Sequence, residues 1–298
     1  MAIRLAHFSD IHVTTAPLHW TWGDWFSKRL TSWLNHAIGR GPQFALADEI
    51  VRCLMDDLVQ RGIDHVVFSG DATALGFEEE VRHAAGLLRV DTLPIPGLAV
   101  PGNHDYCTWA AAESGAFERH FAPWQQGRRI GDFAYPFAQA IGDAWLIGVN
   151  GATGNRWSWD AGGAVAPDQL DRLRQLLDSL PAGIKILVVH FPVCLAGGGF
   201  EWYCRGLRNL DEIVAIAQAG GVNLWLHGHR HTPYYHQSPN GAPFPVICAG
   251  TATQRDLWSY GEYVIDGARL LATRRQYDPE TKAFHNVESF ELILATIN

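Results

Sequence analysis

Several features that identify large protein classes are missing from this sequence. No apolar run reaches the ~20 residues that a membrane-spanning helix requires. The first residues lead directly into a predicted strand, without the apolar segment of a secretion signal. The five cysteines follow no paired or Cys-x-x-Cys spacing, which is typical of free thiols in a reducing compartment. These absences favour a cytoplasmic protein.

An excess of basic residues is also missing. Lysine and arginine together number 23 against 31 aspartates and glutamates, so the formal net charge is −8 at pH 7. Because non-specific nucleic-acid binding requires a basic surface, we expect no strong nucleic-acid binding. A nucleotide substrate stays open, because metal ions at a binding site would reverse the local charge.

The chain contains no internal repeat and no low-complexity linker that would divide it. At 298 residues, of which 47% are hydrophobic, it is long enough to bury a full core. We therefore predict a single domain over residues 1–298, with one unusual aromatic insertion at about residues 16–42.

What the sequence does contain is five short polar blocks in a fixed order. Each block directly follows an apolar run that predicts a buried strand, at residues 3–8, 65–68, 98–101, 184–189 and 222–226. Because ligands collect outside the carboxyl ends of strands in α/β sheets, we expect the blocks to converge. Their oxygen and imidazole side chains suit divalent metal ions. The blocks are Asp10-Ile11-His12, Gly70-Asp71, Gly102-Asn103-His104-Asp105, His190 and Gly228-His229-Arg230-His231.

This ordered set resembles the calcineurin-like metallophosphoesterase family, from the first strand of the chain to its last block. The resemblance implies an α/β fold with four layers, in which helices flank a sandwich of two mixed β-sheets. It also implies two bound divalent metal ions, with Mn²⁺ or Fe²⁺ favoured and Zn²⁺, Co²⁺ or Ni²⁺ as alternatives. The implied ligands are Asp10, His12 and His231 for the first metal, and Asn103, His190 and His229 for the second.

The resemblance further implies how the centre would act on a phosphate ester. Asp71 would bridge the two metals by giving one carboxylate oxygen to each, and a hydroxide between the metals would attack phosphorus. His104 would be the other catalytic group, protonating the leaving oxygen as an imidazolium. Asn103 and His104 would also contact the substrate, and Arg205 would either pair with a substrate phosphate or lie in solvent.

The sequence departs from the family pattern at one position that matters for His104. Several branches of the family carry an acid at the fifth residue of the Gly-Asp block, where it orients the catalytic histidine. Here that residue is Ala74, so we expect Asp105 to orient His104 instead. The protein serine/threonine phosphatase branch has a Gly-Asn-His-Glu block, and Asp105 at this position argues against that branch.

Each block residue taken alone also has an ordinary structural interpretation. An aspartate can cap a turn, Asn103 suits a left-handed turn, and His190 can be a buried core histidine. The blocks favour a metal site because all of them occur together and in order. Outside the blocks, His227 is predicted to support the metal ligands from behind. We interpret the remaining histidines as structural or surface residues: His7, His19, His36, His65, His83, His120, His236 and His285.

Helices are expected to alternate with the strands. Apolar periodicity, with helix stop and start signals, predicts helices over 45–61, 78–89, 167–180 and 210–219. Further strands are predicted over 246–248, 263–265 and 269–277. Two loops, 151–164 and 195–208, carry aromatic residues and glycines and are expected to shape a pocket.

The insertion carries an amphipathic pattern over Trp20–Arg40 that predicts about four helical turns. Because it follows the first metal block directly, it should overhang the site. It could be a lid packed on the core, a membrane-surface or acyl-chain contact with Lys28, Arg29 and Arg40 nearby, or a dimer contact. The oligomeric state stays open. The apolar stripe consists of Trp22, Trp25, Phe26, Leu30, Trp33, Leu34, Ala37 and Ile38.

The function expected from these observations is hydrolysis of a phosphodiester, a phosphomonoester or a pyrophosphate. The aromatic insertion favours a substrate with a large apolar or base moiety, such as a lipid-linked pyrophosphate or a nucleotide. The alternatives are a catalytically inactive metal-binding scaffold of the same fold and a peripheral membrane-binding module.

Overall fold

The strands of the protein form two mixed β-sheets. The computed structural model describes residues 2–294, and within that range one sheet has six strands and the other seven. The sheets have the strand orders β13-β12-β11-β1-β2-β3 and β4-β5-β6-β7-β8-β10-β9. In chain order the strands are β1 (Ile3–Phe8), β2 (His65–Phe68), β3 (Gly97–Ala99), β4 (Arg128–Arg129), β5 (Phe137–Ile141), β6 (Ala144–Gly148), β7 (Ile184–Val188), β8 (Val222–His227), β9 (Tyr234–His236), β10 (Val246–Cys248), β11 (Ser259–Asp266), β12 (Arg269–Asp278) and β13 (Ala283–Ile293).

The longer helices lie where the sequence pattern predicts them, with small shifts at their ends. The helix predicted to end before Gly62 does so, because this glycine adopts a left-handed conformation with φ of 62°. Pro167 begins its helix at a position where the missing N–H costs no hydrogen bond. The helices are α1 (Lys28–Asn35), α2 (Ala47–Arg61), α3 (Glu78–Leu87), α4 (Trp109–Glu113), α5 (Ala116–His120), α6 (Pro167–Ser179) and α7 (Leu210–Ala219).

Three buried clusters separate four layers. Between the sheets, Leu5 and Val67 of the first sheet share a cluster with Leu146 and Ile186 of the second. Alternate residues of the same strands face outward, where α2 and α3 cover the first sheet. Helices α6 and α7 cover the outer face of the second sheet in the same way. The predicted four-layer sandwich of two mixed sheets flanked by helices is therefore confirmed.

The parallel strands bring all five polar blocks to one edge of the sandwich. In the first sheet β1, β2 and β3 run parallel, and in the second β6, β7, β8 and β10 run parallel. The carboxyl ends of parallel strands meet at one edge. The blocks that follow β1, β2, β3, β7 and β8 lie there, far apart in sequence and adjacent in space.

The insertion is not the continuous helix that its periodicity predicts. Only Lys28–Asn35 is α-helical. A 3₁₀ turn (Asp24–Phe26) precedes it, and a π-helical turn (His36–Arg40) and a second 3₁₀ turn (Gly41–Phe44) follow it. Ser27 interrupts the first part, because it is extended and its side chain caps the new helix by accepting the N–H of Arg29.

A lid packed on the core would bury the apolar stripe of the insertion and expose its cations. The structure shows the opposite arrangement. Lys28 and Arg29 are only 6% and 8% exposed, whereas Trp22 and Phe26 are 86% and 88% exposed. The cations are buried because backbone carbonyl groups and Asp24 accept their hydrogen bonds. Of the four tryptophans in the insertion, Trp22, Trp25 and Trp33 are exposed, whereas Trp20 packs inward against the ring of Phe77. Within residues 2–294, no helix is long and apolar enough to cross a membrane.

Candidate metal centre

The loops that carry the predicted metal ligands have unusual backbone conformations. Eight non-glycine residues in the described range have a positive φ, and five of them belong to the polar blocks. L-residues rarely adopt this region, and such strain is typical of functional sites held by their surroundings. These positive φ values occur in the loops that follow β1, β2 and β8. The five residues are Asp10, His12, Asp71, His229 and His231.

Asp10, His12 and His231 lie together at one half of the centre. The Nδ1–H of His12 donates to the carbonyl oxygen of Thr73 at 3.2 Å, so its Nε2 carries the lone pair. That Nε2 lies 3.1 Å from Nε2 of His231, and Oδ1 of Asp10 lies 3.2 Å from the same His231 atom. On its other side, His231 Nδ1 contacts Gln254 Oε1. Outer hydrogen bonds of this kind orient histidines as metal ligands.

His190, His229 and Asn103 form the other half. The Nδ1–H of His190 donates to the carbonyl oxygen of Ser69 at 2.8 Å, so its Nε2 faces the centre. The amide oxygen of Asn103 lies 3.2 Å from this Nε2 and 2.9 Å from Nδ1 of His229. The backbone N–H of His229 donates to Oδ2 of Asp10 at 2.9 Å, which ties the two halves together.

Asp71 lies between the halves, but it presents one oxygen rather than two. Its Oδ2 is 3.7 Å from His12 Nε2 and 3.4 Å from His190 Nε2. Its Oδ1 accepts the backbone N–H of His104 at 2.7 Å. A β-carbon on Gly102 would lie 2.2 Å from that oxygen, so the loop requires glycine there. Oδ2 of Asp71 therefore faces both halves, and the expected metal bridge through both oxygens stays a prediction.

The residues fit a pair of divalent cations. Oδ1 of Asp10 is buried without a hydrogen-bond partner, which is costly unless a cation accounts for it. Carboxylate and imidazole atoms of Asp10, His12 and His231, and separately of Asp10, Asp71 and His190, lie within 4.8 Å of one another. The donors are nitrogen and oxygen atoms without cysteine, a set that suits Mn, Fe, Zn or Co.

The charge states of Asp71, His12 and His229 agree with this interpretation. Burial alone would raise the pKa of Asp71, but His190 and His104 outweigh it and hold this pKa far below its usual range. Burial, assisted by Arg40, lowers the pKa of His12 to about 4, and burial with His190 lowers the pKa of His229 to about 3. Ionised carboxylates and neutral imidazoles are the forms that bind metal.

His190 differs from the other predicted ligands. Burial lowers its pKa, but the attraction of Asp71 prevails and raises it to about 9. A proton and a metal ion would compete for its Nε2, so metal binding would release that proton.

His104 is oriented by a group that the sequence pattern does not reveal. Its Nδ1–H donates to the backbone carbonyl oxygen of Ala74 at 2.8 Å. Asp105, which was expected to orient it, instead accepts the backbone N–H groups of Asp71 and Gly102 through Oδ2 and that of Thr73 through Oδ1. The prediction that Asp105 orients His104 is wrong, because both oxygens of its carboxylate accept backbone N–H groups that hold the Asp71 loop.

The remaining predicted residues lie around the centre. His227 is buried at the end of β8, where its Nδ1–H donates to the carbonyl oxygen of Gly228 beneath the last block. Arg205 is exposed on a cleft of about 870 Å³ that opens above His12, Asn103 and His104. The insertion and the 195–208 loop form much of the cleft wall.

Two residues that line this cleft were not predicted from the sequence to lie there. His36, interpreted as structural or surface, and Arg40, interpreted as a basic residue near a membrane, both line the cleft. Nη1 of Arg40 lies 3.0 Å from His104 Nε2, and Nη2 lies 3.1 Å from His12 Nε2. The signal available in the sequence was the position of the insertion directly after the first metal block.

The fold is similar to those of known phosphatases. A dimetal phosphatase from Danio rerio superposes with a TM-score of 0.66 at 13% identity, covering 98% of this chain and 99% of that one. The purple acid phosphatase PPD1 from yellow lupin (Lupinus luteus) seeds gives a TM-score of 0.60 at 14% identity, covering 98% of this chain and 54% of that one. At such identities the likeness concerns the fold alone.

Sequence comparison gives the family directly. A comparison with curated protein sequences gives no significant match. The family pattern described as calcineurin-like phosphoesterase matches residues 3–233, which include all five polar blocks. The chain therefore belongs to the calcineurin-like phosphoesterase family, as its polar blocks predicted.

Proposed function

We propose that this protein is a dinuclear metal-dependent phosphoesterase that hydrolyses a phosphodiester, a phosphomonoester or a pyrophosphate. One observation carries the proposal: seven oxygen- and nitrogen-bearing side chains from five strand ends converge, with their free donor atoms facing a common centre. The seven are Asp10, His12, Asp71, Asn103, His190, His229 and His231.

The chain's own residues would divide the work around the metals. Two bound divalent ions would lower the pKa of water enough to supply a nucleophile and would offset the phosphate charge. Asp71 would hold both halves of the site at a fixed separation through Oδ2. Asp105, by accepting the backbone N–H groups of Asp71 and Gly102, would keep the loops rigid. His104 would face the leaving-group side of the cleft through Nε2.

The proton on His104 would depend on the substrate. In the free protein, burial and then Arg40 hold the pKa of His104 well below its usual 6.5, so the ring is neutral. A phosphate anion in the cleft would favour the imidazolium form, because an opposite charge nearby stabilises it. His104 would therefore gain its catalytic proton with the substrate bound.

The cleft favours a substrate larger than a simple phosphate. Trp159 and Trp202 line it and are 66% and 75% exposed, which offers flat apolar surface beside the centre. A nucleobase or an acyl chain would cover these rings. The substrate class proposed is thus a nucleotide or an amphipathic, lipid-linked phosphate.

The test is hydrolysis of bis-p-nitrophenyl phosphate and p-nitrophenyl phosphate by chelator-stripped protein, before and after addition of Mn²⁺. We expect activity that appears with metal, and elemental analysis that gives two metal ions per chain. The ratio of the two rates then indicates whether diesters are preferred. Two bound metals with no hydrolysis of either ester would favour the alternative, an inactive scaffold.

A second candidate property concerns the outer surface of the insertion, defined by Trp22, Phe26 and Ile38, which are 86%, 88% and 80% exposed. We propose that this surface contacts a lipid bilayer peripherally. Aromatic side chains favour the bilayer interface. Because Lys28 and Arg29 are buried, the contact would not depend on anionic lipid.

The matching experiment is cosedimentation with neutral phosphatidylcholine vesicles. We expect binding that persists at high salt and is lost in a Trp22→Ser/Phe26→Ser variant. The control is Leu271→Ser/Val287→Ser, which removes two half-exposed apolar residues from β12 and β13. Dimerisation that the Trp22/Phe26 variant abolishes, without vesicle binding, would assign the surface to a second copy of the chain.

A further inference from the structure

Arg40 reaches the metal centre from outside the family's blocks. It ends the π-helical turn His36–Arg40, and the next turn places Phe44 against the ring of His12, with centroids 5.0 Å apart. The guanidinium of Arg40 is half-buried and lies 5.5 Å from the centroid of the same Phe44 ring. The end of the insertion is therefore a wall of the centre, and Arg40 is its charged group.

The two hydrogen bonds of Arg40 end on nitrogens that have other roles. Nη2 faces Nε2 of His12, and Nη1 faces Nε2 of His104. Both imidazoles donate their Nδ1–H to backbone carbonyl groups, so both Nε2 atoms carry a lone pair. A metal ion on His12 Nε2 would remove the acceptor that faces Nη2. Arg40 would then face the loaded centre with unsatisfied donors, since Nη1 and Nη2 each carry two N–H groups.

The group that would satisfy them is an anionic oxygen. A guanidinium presents parallel donors that match two oxygens of one phosphate. Asp10 and Asp71 lie close enough to attract the guanidinium, whereas Arg205 repels it. The metals would offset the charge of those two carboxylates, which would leave Arg40 free to pair with the substrate.

From this geometry we propose that Arg40 binds a phosphoryl oxygen of the substrate beside His104, and that the insertion thereby completes the phosphate site. The inference rests on the proposed function and assigns the insertion a part in it. A phosphate held by the metals on one side and by Arg40 on the other would place its leaving oxygen towards His104 Nε2.

The test uses inorganic phosphate as the probe and the full chain loaded with Mn²⁺. Calorimetric titration gives phosphate affinity, and elemental analysis gives metal content for the same samples. We expect Arg40→Ala to weaken phosphate binding about tenfold to hundredfold, the usual range for a charge-assisted hydrogen bond. Metal content should stay at the wild-type value. Arg40→Lys should bind phosphate more tightly than Arg40→Ala but less tightly than the wild type. Lysine keeps the positive charge but lacks the paired N–H donors of the guanidinium.

The matched control is Arg255→Ala. Arg255 is exposed and donates from Nη2 to the carbonyl oxygen of Pro42, on the insertion's second 3₁₀ turn. Its removal would loosen the same segment without taking a charge from the cleft. Phosphate affinity should therefore remain at the wild-type value. If Arg40→Ala is poorly folded, Arg40→Lys and Arg40→Gln are compared instead.

Three outcomes would overturn the inference while leaving the proposed function intact. One is an active wild type with an Arg40→Ala variant whose phosphate affinity lies within twofold of it. Another is an equal loss of affinity in Arg255→Ala. The third is a loss of bound metal in Arg40→Ala, which would make Arg40 a support for His12. A metal-loaded wild type that neither binds phosphate nor hydrolyses esters would instead overturn the proposed function, and this inference with it.

Discussion

The imidazole of His104 donates its Nδ1–H to the carbonyl oxygen of Ala74, 2.8 Å away. This contact fixes the ring so that Nε2 points into the cleft. A backbone carbonyl group thus orients His104, a role that a side-chain acid has in several branches of the family. The imidazole therefore has no carboxylate partner at Nδ1. The pKa of His104 consequently responds to burial and Arg40 rather than to an acid behind it.

The first prediction concerns the role of His104 as a proton donor. Replacement of His104 by alanine should lower kcat roughly 10²- to 10⁴-fold for an ester with a poor leaving group. The loss should be much smaller for p-nitrophenolate, which leaves without protonation. The measurement is kcat for phenyl and p-nitrophenyl phosphate esters. Equal losses for the two esters would mean that His104 positions the substrate instead.

The second prediction concerns Asp71, whose Oδ2 faces both halves of the centre. Asp71→Asn removes the negative charge that offsets two cations, and its amide nitrogen cannot act as a ligand. We expect fewer than two metal ions per chain by elemental analysis, and hydrolysis reduced by at least about 10²-fold. The control is Asp132→Asn, at an exposed position on a loop. A fully loaded and active Asp71→Asn variant would contradict the dinuclear assignment.

The convergence of these side chains could be predicted from the sequence because each is a distinctive residue type at the end of a buried strand. The strand Ile3–Phe8 and its block are continuous in sequence, so the carboxyl-end rule was enough to place Asp10 and His12. The carbonyl of Ala74 could not be predicted, because every residue has a carbonyl group. Its direction depends on the turn that follows β2.

The insertion shows a second limit of sequence patterns. Periodicity identified its apolar stripe, but it does not tell which face of a helix meets the protein. The observed direction follows from carbonyl groups in the 75–76 and 160 loops that accept the hydrogen bonds of Arg29 and Lys28. These acceptors lie far from the insertion in sequence. For the same reason, the sequence pattern did not place Arg40 in the cleft.

The third prediction concerns stability and pH through Glu80. Its Oε2 accepts the N–H groups of Leu75 and Phe77, next to Ala74, while its Oε1 is buried without a partner. Burial raises the pKa of Glu80 from 4.5 to about 7. Between those values the folded protein keeps a proton that the unfolded chain releases, so the free energy of unfolding falls as pH rises.

Glu80→Gln removes this linkage and keeps a neutral side chain of the same shape. Between pH 5 and pH 8, the metal-free wild type should lose roughly 2 kcal/mol more unfolding free energy than the variant. The measurement is urea denaturation followed by tryptophan fluorescence, in chelator at both pH values. Parallel pH profiles for the two proteins would show that Glu80 titrates normally.

The last prediction concerns how the insertion is held over the cleft. Arg29 lies 2.6 Å from Oδ1 of Asp24, its Nε donates to the carbonyl oxygen of Leu75, and its guanidinium lies 4.1 Å from the centroid of the Phe77 ring. Arg29→Ala would leave the buried Asp24 carboxylate without its cation, a change that typically costs about 3 kcal/mol or more. Since the insertion is a peripheral segment, that cost should appear as local opening.

Limited chymotrypsin digestion measures this opening, because Trp22, Trp25 and Phe26 are exposed aromatic cleavage sites in the same segment. We expect cleavage in the insertion to become faster in Arg29→Ala, while the urea midpoint of the remaining fold changes little. The double variant Arg29→Ala/Asp24→Asn should be cleaved more slowly than Arg29→Ala, because it no longer buries an unpaired carboxylate. If cleavage rates stay at the wild-type value in both variants, the hydrogen bonds of Lys28 and the packing of Trp20 on Phe77 would be sufficient to hold the insertion, and Arg40 would keep its position without the Arg29–Asp24 ion pair.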